Sequence, residues 1–241
     1  MLYSFLMAGA KANRGKFIVI DGNDGSGKTT QLNLLKSFLE EKEVPVAVFD
    51  FPQYKTFHGE TIGRFLSGEF GDLDSISPYL LCYPYAMDRL GASPHIKAAL
   101  EAGKIVLANR YVASNLAHQS GRLPKEKRRD FVDWDIEFEY YVNGLPREDL
   151  LIYLHVPHKH VEQLMKSKER KGRREYANGK TKDMVESNKE YLTGAEEAYM
   201  DLVQRFDHWI RIDCIDEKGR LLPRESIHEK IKTELISRHM I

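Results

Sequence analysis

Gly27-Lys28-Thr29-Thr30 closes a glycine-rich stretch that begins at Gly22, in the spacing G-x-x-x-x-G-K-[ST]. Each residue type in that pattern serves a polyphosphate. Glycines at 22, 25 and 27 let the backbone wrap a phosphate chain with its N–H groups turned inward, with Asn23, Asp24 and Ser26 filling the positions between. Lys28 adds a positive charge, Thr29 offers a hydroxyl to Mg²⁺, and the helix expected from Thr29 and Thr30 onward adds the positive end of its dipole. A glycine-rich hairpin with a surface lysine is the bland alternative. It leaves unexplained why a β-branched run, Phe17-Ile18-Val19-Ile20, precedes the loop and an amphipathic run follows it.

Two further arginines have the chemistry to hold an anion. Arg89 recurs with Leu81 and Tyr85 at i, i+4, i+8, so the three share one helix face; core packing suits Leu81 and Tyr85, whereas Arg89 requires an anion or a carboxylate. Arg110 follows the apolar run Lys104–Ala108 in Asn109-Arg110-Tyr111, at the carboxyl end of a strand, where open α/β sheets bind ligands. Lys166 to Tyr176, KSKERKGRREY, is dense in cations. Alone, such a run is a solvated face or a nucleic-acid contact. Next to a phosphate loop it reads as a lid carrying Arg170, Arg173 and Arg174 over the phosphates.

The elements that must position these groups follow from periodicity. Thr29 to Lys42 places Leu32, Leu35 and Leu39 at helical spacing, widened by Leu34 and Phe38, and Pro45 ends it. Val46-Ala47-Val48-Phe49 reads as a buried parallel strand, closed by Asp50-Phe51-Pro52 at the ligand edge of the sheet. Helices are expected over Gly59–Gly68, from Ser77-Pro78 with Ser77 as N-cap, and separately over Pro94–Ala102. Glu126–Val142 reads as an amphipathic helix and Asp149–Val156 as the fourth strand. Val161–Arg174 and Met184–Phe206 read as helices, His208–Asp213 as the fifth strand, and Ser226–Arg238 as a helix capped by Ser226.

A chain of 241 residues, 42% hydrophobic, can bury one sizeable core without staples. Lys plus Arg and Asp plus Glu balance at 36 each, so small anions must be held by local clusters, and neither a nucleic-acid nor a membrane surface is indicated. Cys82 and Cys214 are far apart and outside any C-x-x-C spacing, which points to neither a disulfide framework nor a zinc site and fits a reducing cytoplasm. The start, MLYSFLMAGAKANRGK, has no basic region ahead of its apolar residues. Residues 1–15 read as a flexible leader and 16–241 as one domain with a lid at about 166–180.

In this order the motifs resemble the thymidylate kinase family, and the resemblance runs from about Lys16 to the C-terminus. The family's F-E-G-x-D-x-x-G-K-[ST]-T is met by Ile20 to Thr30 with Asp21 replacing the glutamate, and its F-P by Phe51-Pro52. Its F-[AS]-A-[DN]-R is met by Tyr85 to Arg89, and its D-R-[YH]-x-x-S by Asn109 to Ser114. The resemblance implies a P-loop NTPase-type three-layer α/β/α fold with a five-stranded parallel sheet and a small basic lid. It also implies ATP as donor, dTMP as acceptor, Mg²⁺, and a homodimer. By the same resemblance Asp24 contacts the acceptor sugar and orders the metal-phosphate region with Thr29. Tyr85 stacks on the thymine, Arg89 and Arg110 reach the acceptor, and Pro52, Ser114, Asn115, His118 and Gln119 line the base pocket. Tyr176 approaches the sugar. Three departures stand out: Tyr54 replaces an arginine of the eukaryotic branch, Gly25 a loop arginine, and Asn109 the aspartate that helps position Mg²⁺ through water. With Gly25 in the loop, the lid arginines would supply the transition-state charge. The alternatives of the same fold are a broader deoxynucleoside-monophosphate kinase and a deoxynucleoside kinase, and the latter would need a carboxylate base near the acceptor 5′-hydroxyl in place of the second arginine clamp for a phosphate. A GTP switch would need N-K-x-D, and Asn188-Lys189-Glu190-Tyr191 lacks the aspartate.

Overall fold

The computed structural model describes residues 14–157, 160 and 188–241. Five parallel strands, β1 (Phe17–Asp21), β2 (Val46–Asp50), β3 (Ile105–Asn109), β4 (Leu150–His155) and β5 (Trp209–Asp213), form one sheet in the order β2-β3-β1-β4-β5. Strand side chains alternate between faces, so Phe17 and Val19 enter one core and Ile18 and Ile20 the other. The first core is covered by α3 (Pro78–Glu101), α4 (Val112–Ser120), α5 (Lys125–Ile136) and α6 (Lys189–Arg205). The second is covered by α1 (Lys28–Glu41), through Leu32, Leu35 and Leu39, and by α7 (Arg224–Ser237), through Ile227, Ile231 and Leu235. This is the three-layer α/β/α arrangement expected. A third, smaller core joins α2 (Phe57–Leu66) to α3 and α6 through Ile62, Phe65, Leu81 and Leu192.

The same alternation places the chemistry. Asp21 lies on the face of Phe17 and Val19, toward α4 and α6, whereas Asn109 follows Ile105 and Leu107 onto the face of α1. Strand β2 is an edge strand paired to β3 alone, with half-buried and exposed side chains, and not the buried strand its apolar run suggested. A four-residue apolar run cannot distinguish a central strand from an edge strand that a helix partly covers.

Several helix boundaries differ from the sequence expectation. The two helices expected on either side of Pro94 are one helix, α3, which holds Pro84 and Pro94 in its interior. Each proline removes a bond to the carbonyl four residues back, and the buried Ala86, Ala92, Ile96 and Leu100 hold the helix against the core despite that loss. Ser77 stands at the N-cap but its hydroxyl makes no cap bond. Helix α7 starts at Arg224 behind Pro223, so Ser226 lies inside it and caps nothing. Helix α5 widens into a π turn over Glu137–Val142, which rotates Glu139 into the interior. Asn188 caps α6 by accepting the Tyr191 N–H at 3.0 Å. Of the leader, residues 1–13 lie outside the described residues. Arg14 pairs with Asp149 at 3.2 Å, and the Gly15 N–H donates to the Leu100 carbonyl.

Candidate active site

The phosphate loop links β1 to α1 as the sequence requires. Gly27 caps α1 in the left-handed conformation at φ 95°, open to a side chain in space but closed to one by its backbone. Lys28 folds back over the loop and donates to the carbonyls of Gly22 at 2.9 Å and Asn23 at 3.0 Å, with Asp24 at 3.6 Å. It is buried, and that burial, helped by the charge on Arg110, pushes its ammonium down to about 8 against the pull of Asp24 and Asp21. Both polar atoms of the Asn23 side chain and the Ser26 hydroxyl are buried without a partner among the described residues. Buried polar groups are rarely left so, and a loop lined with them fits a polyphosphate that would satisfy them.

Arg110 joins this loop to the neighbouring cleft. Its Nη2 donates to Asp24 Oδ1 at 2.5 Å, its Nη1 to Ser114 Oγ at 3.3 Å, and Asp21 lies 3.6 Å away. Burial disfavours its charge, and Asp24 and Asp21 more than offset that. Its backbone sits at φ 63°, a left-handed conformation that costs a non-glycine residue on the order of 1 kcal/mol or more and tends to persist at functional sites. Asp21 anchors the hub. Wholly buried, it accepts from Ser114 Oγ at 2.8 Å, Tyr199 Oη at 2.8 Å and the Gly22 N–H at 2.8 Å. Its oxygens are thereby spent on holding β1, α4 and α6 together.

Beside the loop lies a cleft that is open at its mouth. It brings together Asp24, Pro52, Tyr85, Arg89, Arg110, Ser114, Asn115, His118 and Gln119, which the sequence had assigned to one site from four separate segments. Tyr54 lines it as well, at the position of the absent arginine. Arg89 meets the carboxylate its helix face called for: Nε and Nη2 each donate to Glu139 at 2.6 Å, and both residues are buried. Asp135 lies beside that pair, and burial followed by the charge of Glu139 pushes its carboxyl well above the usual range. Asn115 donates to Glu139 at 3.0 Å. His118 is driven down to about 3 by burial and by Arg110, and is therefore neutral; its Nε2 accepts from Arg110 at 3.3 Å, which leaves the proton on Nδ1.

Thr29, the expected metal ligand, stands at the head of α1 with Asn109 Nδ2 3.4 Å from its hydroxyl. The same amide donates to Asp50 at 2.8 Å, and the buried Asn109 Oδ1 has no partner among the described residues. Among those residues no group of three or more His, Cys, Asp or Glu could cage a metal. A hydroxyl, an orphaned amide oxygen and a nearby carboxylate suit Mg²⁺, which keeps most of its waters and is bound largely through substrate phosphates. Arg170, Arg173, Arg174 and Tyr176, and the helix expected over Val161–Arg174, lie outside the described residues.

The family profile described as thymidylate kinase matches residues 20–221. The chain belongs to the thymidylate kinase family. Curated thymidylate kinases include one from Plasmodium falciparum, 29% identical over 222 residues, spanning 92% of this chain and 90% of that one. Another, from Mycobacterium tuberculosis, is 28% identical over 207 residues, spanning 85% and 94%. A solved thymidylate kinase from Candida albicans superposes with a TM-score of 0.71 over 94% of this chain and 93% of that one, at 18% identity, so it shares the fold.

Sequence reasoning missed four contributors. Tyr191 of α6 lines the cleft and stacks on His118, with ring centroids 5.5 Å apart. Glu139 holds Arg89. Asp88 fastens the turn after β2 by accepting from the Gln53 N–H and the Thr56 hydroxyl at 2.8 and 2.9 Å. Asp50 faces Asn109 across β2 and β3. An acid directly beside a motif arginine marked Asp88, and an acid closing a strand marked Asp50; Tyr191 and Glu139 carried no local signal.

Proposed function

We propose that the chain transfers the γ-phosphoryl group of ATP to dTMP, giving dTDP and ADP, and that it does so across the Arg110–Asp24 contact. The observation that carries this reading is that one arginine, cationic and strained, lies against the phosphate loop on one side and opens onto the acceptor cleft on the other. A monophosphate drawn to Arg110 is delivered to the point where Lys28 holds the end of the donor's phosphates. Phosphoryl transfer asks the protein mainly for alignment and neutralisation of spread charge, and the loop amides, Lys28 and Arg110 supply both. Thr29 is the side chain that would help hold Mg²⁺, which would supply positive charge against the donor phosphates. The lid at about 166–180, with Arg170, Arg173 and Arg174, covers the phosphates and adds charge in the transition state, as the resemblance implies, and Tyr176 approaches the acceptor sugar.

In the acceptor cleft, Tyr85 provides the ring for stacking. Ser114 spends its hydroxyl on Asp21 and Asn115 its N–H₂ group on Cys82 and Glu139, so the Asn115 amide oxygen, with Gln119 and the Nδ1–H of His118, is left to read the base edge. The protein acts as a homodimer in the cytoplasm; the exposed Leu80, Tyr83, Tyr141 and Val142 of α3 and the π turn offer an apolar face for the second copy. No helix among the described residues is long and apolar enough to cross a membrane.

ADP release, followed with dTMP, dUMP, dGMP and thymidine as acceptors, tests the reading. Turnover should be highest with dTMP and should collapse with thymidine, which offers Arg110 no phosphate. Faster turnover with the nucleoside would move the chain to the deoxynucleoside kinases.

A further inference from the structure

Asp50 closes β2 in register with Asn109 of β3, and both side chains fall on the face of the sheet that carries α1 and Thr29. A carboxylate only accepts, so the Asn109 amide must turn its N–H₂ group toward Asp50 Oδ1, 2.8 Å away. Its buried oxygen is left without a partner among the described residues, while the same N–H₂ group lies 3.4 Å from the Thr29 hydroxyl. Asp50 is exposed, and its second oxygen takes no hydrogen bond from the described residues, so water can reach it. The other acids of the site are already engaged: Asp21 by Ser114, Tyr199 and Gly22, and Asp24 by Arg110 and Lys28. A carboxylate at the rim of a polyphosphate site repels its ligand unless a cation stands between them.

We propose that Asp50 is the positioning carboxylate for the nucleotide-bound Mg²⁺, acting through the cation's water shell with the Asn109 amide oxygen and the Thr29 hydroxyl beside it. The inference rests on the kinase reading above. It assigns the negative charge to β2, on a residue paired to the asparagine through a strand register, and it makes Asn109 the link between Asp50 and Thr29.

Mn²⁺ binding to the full-length protein with ADP, read from the paramagnetic resonance signal of the free ion, tests it without turnover. Asp50→Asn, which is nearly isosteric, should weaken Mn²⁺ in the ADP complex by roughly tenfold, the usual scale for an outer-sphere partner, while metal-free ADP binds as tightly or more so. Exchanging the two residues, Asp50→Asn with Asn109→Asp, should restore the affinity to about twofold of the native value, which a purely structural role for Asp50 would not do. Asn109→Asp alone places two carboxylates against each other, so one keeps a proton and no tighter binding results. Native Mn²⁺ affinity in Asp50→Asn overturns the proposal, as does a failure of the exchanged pair to recover. A native protein that binds no Mn²⁺ with ADP overturns the kinase reading itself, a different result from the other two.

Discussion

At Lys28 burial works against the charge that the site needs. With its ammonium lowered to about 8, the lysine is charged at neutral pH at a cost of about 3 kcal/mol relative to the unfolded chain. The sign follows from the depressed value: the penalty is present at and below neutral pH and is released as pH rises through 8 toward the unfolded lysine's range. Bound phosphates reverse it by drawing the proton back. ATP binding should therefore take up a proton at pH 8.5 to 9 and none at pH 6.5. Calorimetry in two buffers of different ionisation heat measures this directly, and identical heats at the higher pH would remove Lys28 from the phosphates. Arg110 belongs to the acceptor instead. Arg110→Ala should weaken dTMP binding by roughly 1.5 to 3 kcal/mol, the value of a charge-assisted contact, and ATP binding far less. Titration of each nucleotide alone separates the two, and equal losses would put the arginine on the donor side.

Among the elements, α6 has a requirement of its own. Gly194 packs against the end of α4 so closely that a Cβ on it would lie 2.3 Å from the Gly121 carbonyl oxygen. That approach lets α6 carry Tyr199 onto Asp21 and Tyr191 onto His118, so one helix contact sets both the hub and a wall of the cleft. Gly194→Ala must push the helices apart. The expected cost is about 1 to 3 kcal/mol of stability, with a higher KM for dTMP. Thermal denaturation and steady-state kinetics check the two parts, and a variant with native Tm and KM would show that α6 is free to shift. The π turn after α5 does comparable work, because it is what brings Glu139 inside to meet Arg89.

For the whole molecule, ligand binding and folding are coupled by mass action. dTMP at 100 times its Kd should add about 2.7 kcal/mol of stability, which raises Tm by roughly 5 to 10 °C for a chain of this size. Thymidine at the same concentration should shift it much less, since it leaves Arg110 unpaired. Differential scanning calorimetry reads the difference, and equal shifts would detach the acceptor phosphate from the site. Lid and leader apart, the strand order explains why the coupling is compact. Strand β1 lies between β3 and β4, so the loop leaving β1, the arginine leaving β3 and the Asp50 carboxylate leaving β2 converge at one edge of the sheet.

The sequence by itself determined whatever depends on local spacing: the phosphate loop, its strand and helix, the parallel sheet, and the segments that bring Tyr85, Arg110 and His118. It stopped where partners are distant along the chain. That Arg89 is met by Glu139, 50 residues away, depends on a π turn that no periodicity announces. That Asp21 is a buried anchor depends on Tyr199, 178 residues away. That β2 is an edge strand, and that Asp50 stands beside Asn109 near Thr29, depends on strand order and register, which are decided by how two helical layers close on the sheet. Hydrogen bonds and burial join residues through space, and only the folded chain brings those residues within reach of one another.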